Sequence, residues 1–287
     1  MVDTAALVED LRAEQEELAA LLRGTDPADW ARPTPSPGWS ITDQVAHLAF
    51  FDESALTAVT DPERFAAMLE AAMADPEGYV DTAAAPLAAL APDALLGRWC
   101  AASEALRSAL LDAPAGTRVP WFGPPMSVPS KATARLMETW AHGQDVVDAL
   151  GTTREPTGRL RHIVHLALRT RSFSYLARGL PAPETPVRVE LTAPGCGLWT
   201  MGPEGAEEVV RGDAEEFCLV LTRRRHPADT SLTAEGSAAR EWLEVGQTYA
   251  GGPGQGRRPG QFPAPATVTR ESRTRKEGNR TNAREQS

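Results

Sequence analysis

Cysteine is scarce in this sequence, which contains only Cys100, Cys196 and Cys218. Three scattered cysteines are too few for a disulfide framework, so we expect a reduced protein. No apolar run approaches the roughly 18 residues that a membrane-spanning helix needs. The first residues also lack a basic region followed by an apolar segment, so we expect no secretory signal peptide. These absences predict a cytoplasmic protein that has no membrane partner.

The sequence also has no excess of positive charge. The formal net charge is -10, which argues against nucleic acid as the main partner. Lysine is nearly absent, whereas arginine is abundant. The charge is unevenly spread, because residues 257–287 carry a net +5 and the preceding body therefore carries about -15. The hydrophobic content of 42% is ordinary for a globular protein.

Apolar spacing predicts a helical N-terminal region. Leucines recur at helical intervals from Thr4 to Arg23, and Gly24 ends this first helix. After a proline-rich loop, Ser40 followed three residues later by Asp43 predicts the N-cap of a second helix. Further helices are predicted over 62–73, as a short helix or a lid, and over 92–112, 127–150 and 158–179.

The pattern changes after Pro181, where apolar and polar residues begin to alternate with period two. Strands are predicted over 187–191, 198–200, 208–210 and 217–221, followed by a helix over 237–249. The predicted fold class is therefore α+β, with a four-helix bundle at 1–180 and a small α+β domain at 183–256. The polar and basic segment 260–287 is predicted to be a disordered tail.

One segment carries the main functional signal. Glu138 and His142 lie four residues apart in a predicted helix, so their side chains share one face. A carboxylate and an imidazole at this spacing can bind one divalent cation. A third ligand has to come from elsewhere in the chain, and His47 on the second helix is the best candidate. Three ligands leave an open coordination position, as catalytic metal sites require.

Another interpretation of this helix remains open from the residues alone. It carries a polar stripe with helical spacing, and such stripes usually face water. The stripe consists of Lys131, Arg135, Glu138, His142 and Asp145. In that interpretation, His47 is a hydrogen-bonded core histidine. The pair His162 and His165 also has helical spacing, but no acidic third ligand stands out beside it.

Two segments, Trp39–Leu48 and Met137–Val146, together resemble the DinB-like metalloprotein superfamily. They resemble more closely its mycothiol-dependent maleylpyruvate isomerase branch in actinobacteria. The segments 225–230 and 250–257 also resemble an actinobacterial metal-binding subgroup of that branch. The resemblance covers roughly residues 5–257. It implies a metal-binding four-helix bundle, and it implies that the C-terminal region is the small sterol-carrier-like domain that accompanies this family.

The resemblance also implies a ligand set and a chemistry. Members of the branch bind a divalent metal through one histidine on the second helix and a Glu-x-x-x-His on a later helix. These positions match His47, Glu138 and His142. Zinc is the expected ion, with nickel or iron as further options. A low-molecular-weight thiol such as mycothiol binds at the open position, where the metal deprotonates it. Addition of the thiolate to an electrophilic carbon then leads to isomerisation or to S-transfer.

Three further residues are site candidates. Asp145, one turn beyond His142, could hold the free ring nitrogen of that histidine, or be a surface carboxylate. Trp121, on the loop before the helix, could line the thiol-binding pocket or be a core aromatic. The family implies that an arginine of the C-terminal domain handles a substrate carboxylate, and we choose Arg224. Simple solvation of the run 223–225 is the alternative.

The sequence therefore predicts an enzyme: a metal- and thiol-dependent isomerase or transferase that acts on a small electrophilic metabolite, as a monomer or homodimer. Two other functions remain open. One is a metal-containing protein that binds a small molecule or a lipid. The other is a thiol-independent metal hydrolase, in which a metal-bound water is the nucleophile. Activity that requires added thiol distinguishes the first function from the other two.

Overall fold

The N-terminal part of the protein is mainly helical. The computed structural model describes residues 3–76 and 78–262. Its helices up to residue 176 are α1 (Thr4–Arg23), α2 (Ile41–Thr60), α3 (Pro62–Ala74), α4 (Tyr79–Ala88), α5 (Pro92–Asp112), α6 (Val128–Leu150) and α7 (Leu160–Leu176). A short hairpin, β1 (Arg118–Val119) and β2 (Met126–Ser127), precedes α6. Within the described residues, no helix is both long enough and apolar enough to cross a membrane.

The four long helices α1, α2, α5 and α6 form the predicted bundle. Helix α2 packs against α5 and α6, and α1 packs against the same two helices, so each helix has two neighbours. Helix α1 buries the leucine stripe that predicted it, including Leu7, Leu11 and Leu22. Helix α3 corresponds to the predicted short helix, whereas α4 was not predicted. In the bundle α2 packs directly against α6. These are the two helices that carry His47, Glu138 and His142.

Side-chain caps fix where these two helices begin. The Ser40 hydroxyl accepts a hydrogen bond from the Asp43 N–H, and the Asp43 carboxylate accepts one from the Ser40 N–H. This reciprocal pair is the predicted capping box. The hydroxyl of Ser127 caps α6, and Gly151 ends it with a φ of 64°. A left-handed residue costs least as glycine, which explains why the helix ends there.

The C-terminal part is a small mixed sheet with helices packed on it. Its elements are β3 (Val187–Thr192), β4 (Leu198–Met201), β5 (Glu208–Asp213), α8 (Ala214–Leu221), β6 (Thr233–Glu235) and α9 (Ser237–Val245). The strand order is β4-β3-β5-β6, in which β3 and β5 are parallel and the outer pairs are antiparallel. The α+β class is therefore confirmed, with a mostly helical N-terminal region followed by a small sheet domain.

The strand predicted over 217–221 is wrong, because these residues form part of α8. The carboxylate of Asp213 caps this helix by accepting hydrogen bonds from the N–H groups of Glu215 and Glu216. All five residues of the run Phe217–Leu221 are buried. A short run that is apolar throughout carries neither helical nor strand periodicity, so the cap decides its structure. Arg224 consequently follows a helix rather than a strand.

One apolar core runs through both parts of the chain. Leu136 of α6 and Ile163 of α7 belong to the same buried cluster as Phe217 and Trp242. Helix α7 packs against α6 and also against α8 and α9. The boundary predicted near residue 180 therefore falls between elements that share a core. This shared packing brings residues after 220 close to the bundle.

The segment 250–262 folds back onto the C-terminal part. The backbone N–H groups of Gly260 and Phe262 donate to the Asp229 carboxylate over 2.6 and 3.2 Å. The first three residues of the tail predicted at 260–287 are thus held by hydrogen bonds. The rest of that tail, 263–287, lies outside the described residues.

Candidate metal centre

Two neighbouring helices bring the predicted ligands together. His47 lies on α2, and Glu138 and His142 lie one turn apart on α6. The donor atoms of the three side chains all lie within 4.8 Å of one another. Glu138 Oε2 is 3.1 Å from His142 Nε2, close to the roughly 3.4 Å that separates two ligands of a tetrahedral ion. Among residues 3–76 and 78–262, no other set of three such side chains is equally compact, and none includes His162.

The His47 imidazole has an unsatisfied ring nitrogen. Its Nδ1 atom is buried and has no hydrogen-bond partner among the described residues. Leaving a buried polar atom unpaired costs about 1–3 kcal/mol. Aromatic rings flank the imidazole, with the Trp39 and Phe51 centroids 5.0 and 4.5 Å from its own. His47 is therefore not the fully hydrogen-bonded core histidine of the alternative interpretation. Two imidazoles and one carboxylate are instead a donor set that suits a divalent cation.

The three side chains also favour the protonation states that bind metals. Burial, together with the nearby His142, lowers the pKa of His47 well below its usual value. Burial likewise lowers the pKa of His142, although the hydrogen bond with Glu138 opposes this. Burial raises the pKa of Glu138, but the hydrogen bond with His142 and nearby positive groups outweigh it and lower the pKa to about 2. At neutral pH the set is two neutral imidazoles and one carboxylate.

Gln44 sets the orientation of the His142 ring. The Nδ1 atom of His142 lies 2.6 Å from Gln44 Oε1, and the Gln44 amide donates to Thr34 Oγ1 over 2.9 Å. A cation bound between His142 and Glu138 would replace the hydrogen bond from Nε2 to the carboxylate. The neutral ring would then keep its proton on Nδ1, facing Gln44, and present the Nε2 lone pair to the cation. Asp145 was the predicted candidate for this role, but in the structure Gln44 makes this contact. The sequence signal for Gln44 was its position on α2, one turn before His47.

Asp145 instead joins three distant parts of the chain. Its Oδ2 accepts hydrogen bonds from Arg224 over 2.8 Å and from Ser36 over 3.1 Å, and its Oδ1 pairs with Arg257 at 2.5 Å. Burial raises the pKa of Asp145, but the two guanidinium groups outweigh burial and lower it. Asp145 is therefore a buried charged group, not a surface carboxylate. Arg257 was not predicted as a site residue, because no local sequence pattern marks it.

The three consecutive arginines are not simply solvated. Arg224 is buried, donates to the carbonyl of Thr222 over 2.8 Å, and has no partner for its Nε among the described residues. Arg225 binds both oxygens of Asp148 at 2.7 Å. Arg223 donates to a backbone carbonyl over 2.7 Å. Of these three arginines, Arg224 is the one that binds Asp145, the buried carboxylate one turn beyond His142.

The polar stripe of α6 faces the interior, so a solvated helix face is the wrong interpretation. Lys131, Arg135 and Asp145 are at most 2% exposed. Arg135 pairs with Asp52 on α2 at 2.7 Å. The second oxygen of Asp52 accepts hydrogen bonds from Gln15, Trp99 and Ser103. Asp52, which lies five residues beyond His47, was not predicted as a site residue.

Trp121 belongs to an aromatic wall that we define as Phe51, Phe65, Trp121 and Phe122. The Trp121 ring lies 5.9 Å from those of Phe51 and Phe65 and 5.2 Å from that of Phe122. Phe51 also contacts His47, and the Lys131 amine lies 3.0 Å from the Trp121 ring centroid. The wall thus extends from the triad to Lys131, and both interpretations of Trp121 remain compatible with its half-buried position.

The chain is similar to a known protein family and to two curated proteins. The model of the mycothiol maleylpyruvate isomerase N-terminal domain matches residues 11–147. An uncharacterised protein of Mycobacterium tuberculosis is 48% identical over 257 residues, which are 90% of this chain and 100% of the relative. An uncharacterised protein from a second strain of that organism gives the same values.

Solved structures show a similar fold. The mycothiol-dependent maleylpyruvate isomerase is 17% identical with a TM-score of 0.55, over 81% of this chain and 93% of that one. A variant of that enzyme with a histidine replaced by alanine gives 18% and 0.57 over the same shares. At these identities the likeness concerns the fold.

Proposed function

Because residues 11–147 belong to the family of the mycothiol maleylpyruvate isomerase N-terminal domain, we propose that the protein is a metal-dependent enzyme that uses a low-molecular-weight thiol such as mycothiol. Its substrate in this proposal is a small electrophilic metabolite, which it isomerises or to which it transfers the thiol. The observation that carries the proposal is the compact set of His47, Glu138 and His142 on two packed helices.

In this proposal, His47, Glu138 and His142 hold the cation, and zinc is the ion we expect, with nickel or iron as alternatives. A divalent cation held by these residues would act as a Lewis acid and would lower the pKa of a bound thiol. A dication held by two neutral imidazoles and one carboxylate would keep a net positive charge, which favours the thiolate form of the thiol. Gln44 keeps the Nε2 lone pair of His142 available by holding the proton on Nδ1.

Residues around the triad bind and orient the reactants. Trp39 and Phe51 cover the imidazoles and limit the access of water. Trp121, on the same aromatic wall, offers an apolar surface to the thiol. The Nε–H group of Arg224 has no partner among residues 3–76 and 78–262, and we assign it to an anionic group of the substrate. Asp145 holds Arg224 in place and is thus a positioning residue.

The environment of Asp145 counts against a hydrolase. A thiol-independent hydrolase needs a general base to activate water, and the sequence offers no obvious candidate other than Asp145. Both of its oxygens bind arginines, and its lowered pKa makes it a poor proton acceptor near neutral pH. A thiolate nucleophile needs no such base once its proton is lost. This observation favours the thiol-dependent reaction.

Metal content tests the first half of the proposal. We expect about one equivalent of metal in the wild-type protein by elemental mass spectrometry, and its loss in His47→Ala. His162→Ala is the matched control. His162 does not belong to the triad, and its Nε2 atom lies 2.7 Å from the Asp10 carboxylate. Wild-type protein that takes up no metal on reconstitution would contradict the proposal.

Thiol dependence tests the second half. Maleylpyruvate, the substrate named for the solved relative, is the first compound to assay, with and without added mycothiol. We expect turnover only with the thiol, and its loss in Glu138→Ala. Hydrolysis of an ester or amide panel without thiol would favour the hydrolase instead.

A further inference from the structure

Lys131 is exceptional in the composition of this chain. The sequence contains 27 arginines but only two lysines, Lys131 and Lys276. Lys131 is the one lysine among the described residues, and it is 0% exposed. Arginine stays charged in proteins, whereas lysine can lose its proton when it is buried. The one described lysine is thus at a buried position, where an amine can become neutral and a guanidinium group cannot.

The described surroundings of this amine offer it an aromatic ring but no hydrogen-bond partner. Its Nζ atom is buried and makes no hydrogen bond to any described residue. It faces the ring of Trp121 at 3.0 Å, and the nearest influential charge is Arg135, one turn further along α6. Burial, followed by Arg135, lowers the pKa of Lys131 to about 6. A leucine or methionine would fill the position without burying an unpaired polar atom.

The amine lies at the far end of the aromatic wall. Lys131 and Glu138 share a face of α6 and are seven residues apart, or roughly 10 Å along the helix axis. Phe51 lies between them, because its ring contacts both His47 at 4.5 Å and Trp121 at 5.9 Å. Trp121 is on the loop between β1 and β2, where Gly123, Pro124 and Pro125 are exposed. A movement of this loop would uncover the amine.

We propose that Lys131 is a second reactive site, whose amine condenses with a small carbonyl compound that enters along the aromatic wall. The Nζ lone pair attacks the carbonyl carbon and forms a C–N bond. The carbonyl oxygen leaves as water and takes both amine hydrogens, which gives an imine. Lysines in apolar pockets beside another cation have the environment that activates an amine for this reaction. The site does not depend on a metal at the triad.

Reductive trapping tests this proposal on the full-length protein. Pyruvate is the carbonyl probe, and cyanoborohydride is the hydride donor that converts an imine into a stable secondary amine. Peptide mapping by mass spectrometry then locates the modified amines. At pH 7 less than about 0.1% of an ordinary lysine is unprotonated. We therefore expect Lys131 to be modified at least about tenfold faster than Lys276.

Three variants make the result decisive. Lys131→Met should lose this adduct and keep those at Lys276 and the α-amino group. Trp121→Ala should speed the modification by uncovering the amine. His142→Ala should leave the adduct unchanged, which separates this site from the proposed metal-dependent function. If Lys131 stays unmodified both in the wild type and in Trp121→Ala while Lys276 reacts, the proposal is wrong.

Discussion

The Nδ1 atom of His142 lies 2.6 Å from the side-chain oxygen of Gln44, so a residue of α2 orients a ring of α6. Gln44 precedes His47 by three residues. One face of α2 thus presents a proposed ligand and also the group that orients another ligand. The geometry of the centre therefore depends on the packing of two helices and not on α6 alone.

Replacing Gln44 with leucine should weaken metal binding without removing a ligand. Loss of the hydrogen bond frees the His142 ring and its tautomer, and groups in this role typically contribute 10–100-fold to metal affinity, so a decrease of about that size is expected. Competition with a chromogenic chelator measures it. Gln44→Glu retains an acceptor oxygen and should retain more affinity. Equal affinity in Gln44→Leu and the wild type would show that the contact has no such role.

Asp52→Ala should strongly destabilise the bundle. The substitution leaves Arg135 as a buried unpaired charge and removes the acceptor for three neutral donors. Breaking a buried ion pair in this way costs about 3–5 kcal/mol. Urea unfolding measures the change. The neighbouring Glu53→Ala is the control, because the Glu53–Arg98 pair is partly exposed and worth about 1 kcal/mol or less. Similar losses in both variants would contradict the burial argument.

The metal-free protein should lose stability as the pH falls below neutral. The pKa values of His47 and His142 are lower in the folded state than the value of about 6.5 expected in the unfolded chain. Below that pH the unfolded chain binds protons that the folded state does not, so acid favours unfolding. Each histidine contributes up to about 1.4 kcal/mol per pH unit. Unfolding free energies at pH 7.5 and 5.5 measure the slope.

The His142→Gln variant provides the comparison for this pH effect. Its slope between pH 7.5 and 5.5 should be shallower than that of the wild type, because one titrating ring is gone. His162→Gln should keep the wild-type slope. A His142→Gln slope as steep as that of the wild type would assign the pH dependence to other groups.

The buried Lys131 should make stability rise between pH 7 and pH 9. Its folded pKa of about 6 lies below the value of about 10.4 in the unfolded chain, so between these values only the unfolded chain binds the proton. The slope is at most about 1.4 kcal/mol per pH unit. Lys131→Met should lack this contribution and be more stable at pH 7, whereas Lys276→Met should behave as the wild type. Parallel curves for Lys131→Met and wild type would mean that the amine is charged when folded.

Arg257→Ala should destabilise the protein, although the residue lies far along the chain from the bundle. The variant removes one of the two guanidinium groups that neutralise the buried Asp145. Hydrogen bonds to charged groups contribute about 1.5–3 kcal/mol each, and we expect a loss of that order. The adjacent and exposed Arg258→Ala should change stability by less than about 0.5 kcal/mol. Thermal unfolding of both variants provides the test.

Local signals explain what the sequence analysis predicted. The capping box of Ser40 and Asp43 and the glycine at 151 define α2 and α6 within a few residues. Helical spacing then places Glu138 and His142 on one face. The sheet strands before residue 215 followed from their alternation. Helix α8 was missed because its apolar residues are buried on every side.

Long-range partners explain what could not be predicted. The contact of Asp145 with Arg257 spans 112 residues, and that of Asp52 with Arg135 spans 83. No spacing rule relates residues so far apart, because their proximity is a product of the whole packing. The inward orientation of the polar stripe was missed for the same reason. Its neutralising partners are on other elements.

The pairing of Asp145 with Arg224 and Arg257 has a consequence for the order of events during synthesis. A ribosome completes α6 long before it reaches Arg257, which follows Asp145 by 112 residues. Before Arg224 is made the carboxylate has neither counter-ion, and before Arg257 is made it has only one. A buried carboxylate needs such partners, so the nascent bundle either keeps this region hydrated or leaves α6 incompletely packed. The final closure of the bundle around His142 therefore awaits the emergence of the last described segment of the chain.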